Sequence, residues 1–268
     1  MVNAFKSDDF RDPLFVSWAV IGLLALNVIC AVIYSMFGGM IIVFPEWIVY
    51  AEDGGVITLF AFLVNTIAVL EFPLRIATGI AFLFWVHRAY SNLSALKARN
   101  LEFTPGWAVG WWFIPFANLV KPFQVIRELF NESDPDFDVE TGYLHTPSGT
   151  PVEVGFWWGT LLTSNVLYRI SNALYGSGEQ PDSEYHAPFF LGGALFAVAA
   201  GTLAIYIVRE TTRRQLKRFD LILSSSGNID QPPPPPVFGD SFSFSADEPR
   251  EAIPQPKPEG ADLPPNRD

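Results

Sequence analysis

Glu71 and Arg75 stand four residues apart inside a long apolar stretch, VITLFAFLVNTIAVLEFPLRIATGIAFLFWVHRAY (56–90). One helical turn separates them, so they share a face and can pair. An ionisable group within an apolar span is costly to keep there, which marks a site for a polar solute or ion. The alternative is that both stand near an interface and reach water along their stems. The second candidate is PGWAVGWWFIPFANLVKP (105–122), which is uncharged until Lys121. It holds Trp107, Trp111 and Trp112, three prolines (Pro105, Pro115, Pro122) and one amide, Asn118. Each proline frees a backbone carbonyl, and Asn118 lies between two of them, where amide and carbonyls together can line a polar site. The ordinary role of Asn65, Asn118 and Asn165, amides in apolar runs, is hydrogen bonding between helices.

Catalytic chemistry has no comparable support. His87, His145 and His186 are far apart and show no metal-ligand spacing. Cys30 is the only cysteine, which excludes an internal disulfide and a multi-cysteine metal centre. No Gly-x-Ser-x-Gly, phosphate-binding loop or paired nucleophile and base is present. The expectation is a protein that is not an enzyme, with no metal and no cofactor.

Membrane-spanning helices must position these residues. The chain is 50% hydrophobic and only 17% charged, against about 25% charged in soluble domains. Leu14–Met36 is an uncharged run of 23 residues, enough to cross a core of about 30 Å. It is too long for a signal-peptide core and has no small-residue cleavage site after it, so it is expected to be a retained first span. The stretch 56–90 is too short for two crossings and reads as one, deepest at 68–86. VGFWWGTLLTSNVLYRISN (154–172) and 188–208 read as further spans, with 209–223 a basic amphipathic continuation of the last helix. Gly106–Gly110 and Gly193–Ala197 are small-residue spacings suited to close helix packing.

Charge predicts the sidedness. Loops 37–55 and 173–187 contain no Lys or Arg and belong outside. Arg88, Lys97 and Arg99, and the stripe Arg209, Arg213, Arg214, Lys217 and Arg218, belong inside. Four crossings satisfy this with both termini cytoplasmic and leave none for 105–122. That segment is expected to be re-entrant, turning at Pro115; a kinked fifth span is the alternative. The stripe can also lie against anionic lipid. The net charge of −11 argues against nucleic acid as a partner.

The predicted organisation is a cytoplasmic segment (1–13), a helical membrane domain (14–223) and a tail (224–268). The tail contains five consecutive prolines (Pro232–Pro236). It has too little apolar surface to offset ordering entropy, so disorder with polyproline II character is expected. The fold class is all-α: a polytopic bundle of four to five spans with a proline-broken central segment.

A further pattern runs through the middle of the chain. Trp85, Arg88, Tyr90 and Asn92 end one helix, and Thr104–Trp107 opens the next element. Trp112, Phe113, Pro115, Asn118, Leu119 and Pro122 follow, then Arg127 and Glu128, then Trp157 and Trp158. This pattern resembles the bacterial membrane family known as domain of unknown function 4328, over roughly residues 60–220. The resemblance implies a membrane architecture at the bacterial inner membrane and no particular activity. The expected function is a non-enzymatic interaction or scaffold protein that engages partners through 105–130 and the proline-rich tail. The alternative is a small transporter or channel-like protein with its polar site at the broken segment 105–122, Asn118 and the Glu71–Arg75 pair contributing, working as a homo-oligomer because four spans leave little lumen.

Overall fold

The structure is a computed structural model that describes residues 10–43, 56–139, 141, 143–145, 149–176 and 183–227. The tail from residue 228, the first nine residues and, in the two loops without Lys or Arg, residues 44–55 and 177–182 fall outside the described residues, as does the side chain of Asn65. Among the described residues six α-helices follow in order: α1 (Leu14–Val43), α2 (Val56–Ala95), α3 (Pro105–Gly110), α4 (Lys121–Glu132), α5 (Val152–Gly176) and α6 (Ser183–Gly227). Two 3₁₀ turns, Trp111–Phe113 and Ala117–Leu119, lie between α3 and α4. Among the described residues there is no strand, only an isolated bridge between Phe137 and Leu144.

Among the described residues three helices contain stretches long and apolar enough to cross a membrane: Leu14–Met36, Val69–Ala95 and His186–Ser225. Helix α5 is 25 residues long, but its Ser, Thr, Asn and charged residues dilute its apolar character, and it is not among the three. Helix α2 runs for 40 residues through Pro73, about 60 Å at 1.5 Å per residue. Proline within a membrane helix is tolerated where neighbouring helices, Ser or Thr side chains or local backbone adjustments re-satisfy the carbonyl it frees. Helix α6 continues without a break through the basic stretch to Gly227, four residues past the expected domain boundary.

Helix α1 packs on α2 and α6, and α6 packs on α5. The short α4 joins α2 to α5. Its apolar face buries Val125, Ile126, Leu129 and Phe130 against Trp85, Val86, Tyr90 and Leu93 of α2. The core therefore sits at one end of the bundle, where α1 begins, α2 ends, α5 begins and α6 ends. Polar side chains tie that end together. Ser17 and Thr212 hydroxyls meet at 2.7 Å. Asn92 accepts from the Arg11 N–H at 3.1 Å and donates to the Arg11 carbonyl at 2.9 Å. Gln215 donates to the Ala89 carbonyl at 2.8 Å. Most described Lys and Arg residues gather here, so we call it the charged end.

The outward faces of the long helices are strongly apolar. Phe15, Trp18, Met36, Val69, Phe72 and Ile80 are all well exposed. So much exposed hydrophobic area is unusual for a protein surrounded by water.

Candidate functional site

Toward the opposite end the four long helices separate around a cavity of about 320 Å³. Each contributes a wall: Asn27 and Ala31 from α1, Glu71, Arg75 and Thr78 from α2, Ser164, Asn165 and Tyr168 from α5, and Ala197, Ala200 and Gly201 from α6. Small side chains on α6 make the room. Gly193 admits the Tyr168 ring, which an added Cβ would meet at 3.1 Å, and Gly201 admits Val28. The expected Gly193–Ala197 packing cue thus operates between α5 and α6. Gly106–Gly110 does not act that way: a Cβ at Gly106 meets nothing, and Gly110 faces only the Trp107 ring of its own helix.

Glu71 and Arg75 do pair. Arg75 Nε and Nη2 both reach Glu71 Oε1, at 2.9 and 2.5 Å. Oε2 and Nη1 are left outside the pair. The Arg75 side chain is 54% exposed and Glu71 13%, so the carboxylate is the inner member. Arg75 also lies over the Tyr168 ring, 5.8 Å from its centroid. One turn deeper, Asn27 Nδ2 donates to Thr78 Oγ1 at 2.7 Å, and Ser164 Oγ donates to the Gly193 carbonyl at 2.9 Å. An adjoining space of about 370 Å³ shares Glu71, Arg75 and Tyr168 and is closed by Tyr34, Asn172 and Phe190. The Tyr34 hydroxyl, on a side chain only 7% exposed, makes no well-aligned hydrogen bond and faces Glu71, and the Tyr168 hydroxyl likewise faces Arg75. A buried hydroxyl without a partner is unfavourable and marks a place where another group is wanted.

The cavity is closed toward the charged end by aromatic rings. Phe82 contacts Trp112 edge-on at 5.7 Å and Trp157 at 6.1 Å. Trp112 contacts Trp158 at 6.1 Å. Trp112 is thus what the proline-broken segment brings to the site. The other motif residues stand elsewhere. Trp107 packs on Trp111 at 5.1 Å. Lys121 pairs with Glu102 at 3.3 Å and lies over the Phe103 and Trp111 rings. Pro122 is buried at the start of α4, where its missing N–H costs nothing. Pro115 and Asn118 are exposed and do not line the cavity. The expected union of Asn118 with Glu71 and Arg75 therefore does not occur, because the chain reverses before Asn118 can reach them.

That reversal is a three-residue turn, Pro115–Ala117, with Phe116 at its centre. The Ala117 N–H donates to the Pro115 carbonyl at 2.8 Å, and Phe116 adopts φ 64° and ψ −41°. The two ends of the segment are held side by side. Glu128 accepts from the Glu102 N–H at 2.5 Å and from the Tyr90 hydroxyl at 2.6 Å. The same hydroxyl accepts from the Phe103 N–H at 3.2 Å. Trp158 Nε1 donates to the Leu119 carbonyl at 2.9 Å, fixing the segment to α5. Thr104 caps α3 ahead of Pro105.

The five basic residues of α6 divide between two faces. Arg209, Arg213 and Lys217 recur every fourth residue and are exposed. Arg214 and Arg218 turn inward. Arg218 is fully buried, donating to the carbonyls of Leu96 (2.9 Å), Glu132 (2.8 Å) and Asp134 (3.0 Å), with its guanidinium 3.9 Å from the Phe137 centroid. Arg214 pairs with Asp134 and Glu210 and covers the Phe130 ring. One continuous lipid-facing stripe is therefore excluded for these two, since α4 and its following loop cover that face. Beside them, burial raises the Glu132 carboxyl above its ordinary pKa; Arg218 opposes this and Glu128 adds to it.

A family model described as a domain of unknown function (DUF4328) matches residues 49–213. The chain belongs to this family. No curated protein and no solved structure matches it. In this DUF4328 member the motif residues have structural work at the charged end. Trp85, Tyr90 and Asn92 are buried there, and Tyr90 and Glu128 join the two ends of the broken segment. Arg88 donates to the Asp12 carbonyl at 2.6 Å. The cavity residues Asn27, Tyr34, Thr78, Ser164 and Tyr168 escaped sequence reasoning. Asn27 carried a signal, as the one amide in the otherwise uncharged apolar run 14–36; the tyrosines and hydroxyls carried none.

Proposed function

We propose that this DUF4328 protein is a bacterial inner-membrane protein of four crossings, α1, α2, α5 and α6, that binds a small solute in the cavity between them and carries it as a non-enzymatic transporter. The carrying observation is an ion pair on the wall of a cavity between four helices whose floor, toward the charged end, is closed by aromatic rings. A closed floor fits a carrier with one open side better than a continuous pore. On this reading the charged end, with both termini, faces the cytoplasm, because the described Lys and Arg residues other than Arg75 and Arg169 come from segments that meet there. The segment 105–122 enters and leaves on that side. The side-by-side tethering of Glu102, Phe103 and Glu128 supports this, as does irregular backbone packed on protein. Its partners are then the lipid bilayer and a solute. The proline-rich tail, on which an interaction role would depend, lies outside the described residues, and the described residues favour the cavity.

Cysteine accessibility in a Cys30→Ala background tests this reading. Asn165→Cys, on the cavity wall, is expected to react with a membrane-impermeant thiol reagent on intact cells. Ser94→Cys and Thr150→Cys, on either side of the broken segment, are expected to react only after cells are opened. Adding Trp112→Ala to Asn165→Cys should open the floor and allow reaction from the inside as well. If Asn165→Cys is unreactive from outside, the cavity reading is wrong. If Thr150→Cys reacts on intact cells, the segment crosses.

A further inference from the structure

We infer that the ligand of this cavity is a net-neutral zwitterion with an apolar body: one molecule carrying an ammonium and an oxyanion close together, attached to an aliphatic or aromatic group. The inference rests on the cavity reading above. It follows from the charge balance and the division of the walls. Glu71 and Arg75 sum to zero charge, and among the described residues no other charged side chain lines either space. In surroundings of low dielectric a ligand with one net charge leaves that charge uncompensated, which is expensive. A zwitterion leaves none.

The pair is also one-sided. Both of its bonds end on Glu71 Oε1 and use Arg75 Nε and Nη2. Oε2 remains for an ammonium and Nη1 for an oxyanion. The hydroxyls of Tyr34 and Tyr168 stand beside the pair, Tyr34 toward Glu71 and Tyr168 toward Arg75, and a phenol O–H there can turn to donate to an oxyanion. Below this polar mouth the walls are Ala197, Ala200 and Gly201, and the floor is Phe82, Trp112 and Trp157. Asn27, Thr78, Ser164 and Asn165 also line the pit but spend their donors on neighbouring protein oxygens, so the remaining surface is mostly apolar and suits an apolar group. The volume of about 320 Å³ lies at the small end of ligand pockets and is too small for a whole lipid. Two sources share this chemistry: a free amino acid with an apolar side chain, and the headgroup region of an aminophospholipid whose chains leave between α2 and α5. Those helices meet across the cavity through side chains, Arg75 over Tyr168 and Phe82 on Trp157.

The test uses the purified full chain in phosphatidylglycerol nanodiscs, which contain no zwitterionic lipid. Equilibrium binding of labelled L-leucine and L-phenylalanine is compared with 3-methylbutylamine and 4-methylpentanoate, which each keep one charge of leucine. A second arm adds phosphatidylethanolamine and measures its retention on the protein and its competition with leucine. The expected result is binding of the amino acids or of phosphatidylethanolamine, with one-ended analogues at least about tenfold weaker. Glu71→Gln and Arg75→Gln should each lose binding by a similar factor. Ala197→Phe, which fills the pit and leaves the charges alone, should lose it too. If either charge variant does not fold, the analogue series on the natural chain decides alone. A one-ended analogue that binds as tightly as leucine overturns the zwitterion assignment, as does binding unchanged in the folded variants. Absence of binding in both arms overturns it as well. The cavity reading survives any of these if Asn165→Cys still reacts from outside; if that fails, both fall.

Discussion

Replacing Arg218 with methionine is the perturbation whose cost the structure makes easiest to calculate. The side chain is fully buried, gives three hydrogen bonds to backbone carbonyls and stacks on Phe137. Those carbonyls belong to the end of α2, the end of α4 and the loop that follows, so one guanidinium fastens three segments to α6. Methionine keeps most of the volume and removes every donor. Hydrogen bonds to a charged group contribute about 1.5–3 kcal/mol each, and a buried carbonyl left without a donor costs about 1–3 kcal/mol. These terms overlap, and the cost of desolvating the guanidinium is recovered when it is removed. A net loss of about 3–5 kcal/mol is the reasoned value, near that measured for breaking buried ionic contacts. For a chain of this size that corresponds to a fall in Tm of roughly 6–20 °C. The assay is the temperature at which detergent-solubilised protein loses its monodisperse peak on size-exclusion chromatography. Lys217→Met, one residue earlier and exposed, should change stability by less than about 0.5 kcal/mol. Arg218→Lys should fall between, because one ammonium cannot span three carbonyls as the planar fork does. If Arg218→Met and Lys217→Met melt within a degree of each other, Arg218 does not fasten the charged end and the placement of α4 against α6 is wrong.

Three further outcomes are expected. Phe116→Gly should stabilise the protein in detergent by about 1 kcal/mol, because the residue holds a positive φ that costs a bulky side chain while its ring is 86% exposed; Phe116→Ala should show none of the gain, and equal effects would rule out backbone strain. Tyr90→Phe should cost about 2–3 kcal/mol by removing a bond to the Glu128 carboxylate and the acceptor for the Phe103 N–H, and adding Glu128→Gln should cost less than the sum of the two single changes, since both act on one network; strict additivity in the melting series would refute the shared tether. Glu132 has a raised pKa, so the folded state holds its proton more tightly than the unfolded chain. Its contribution favours folding below the unfolded pKa near 4.5 and is lost as pH rises through the folded value; Glu132→Gln should therefore melt higher than the natural chain at neutral pH and lose that advantage below about pH 4.5, and an advantage independent of pH would argue against it.

Long uncharged runs by themselves determined the helices. Burying twenty or more apolar residues leaves few other ways to pair every backbone polar group. Charge placed the basic residues in the segments that meet at one end, and four-residue spacing made Glu71 and Arg75 a pair, because i,i+4 geometry is local to one helix. Proline content likewise marked 105–122 as broken, and the reversal does fall at Pro115. What pairs across helices was not legible. Asn27 meets Thr78 over 51 residues and Arg218 meets Leu96 over 122, and no local period encodes such distances. The same basic stretch that reads as one stripe is divided by its neighbours, because α4 covers the face of Arg214 and Arg218 and leaves Arg209, Arg213 and Lys217 free of it. Asn118 and Trp112 are equally prominent in the motif, yet only Trp112 reaches the cavity. The turn at Phe116 sends the chain away before Asn118. A cavity is the space that four separate segments leave unfilled, so only their packing, with small residues at Ala197, Ala200 and Gly201 on α6, decided where it lies and which residues line it.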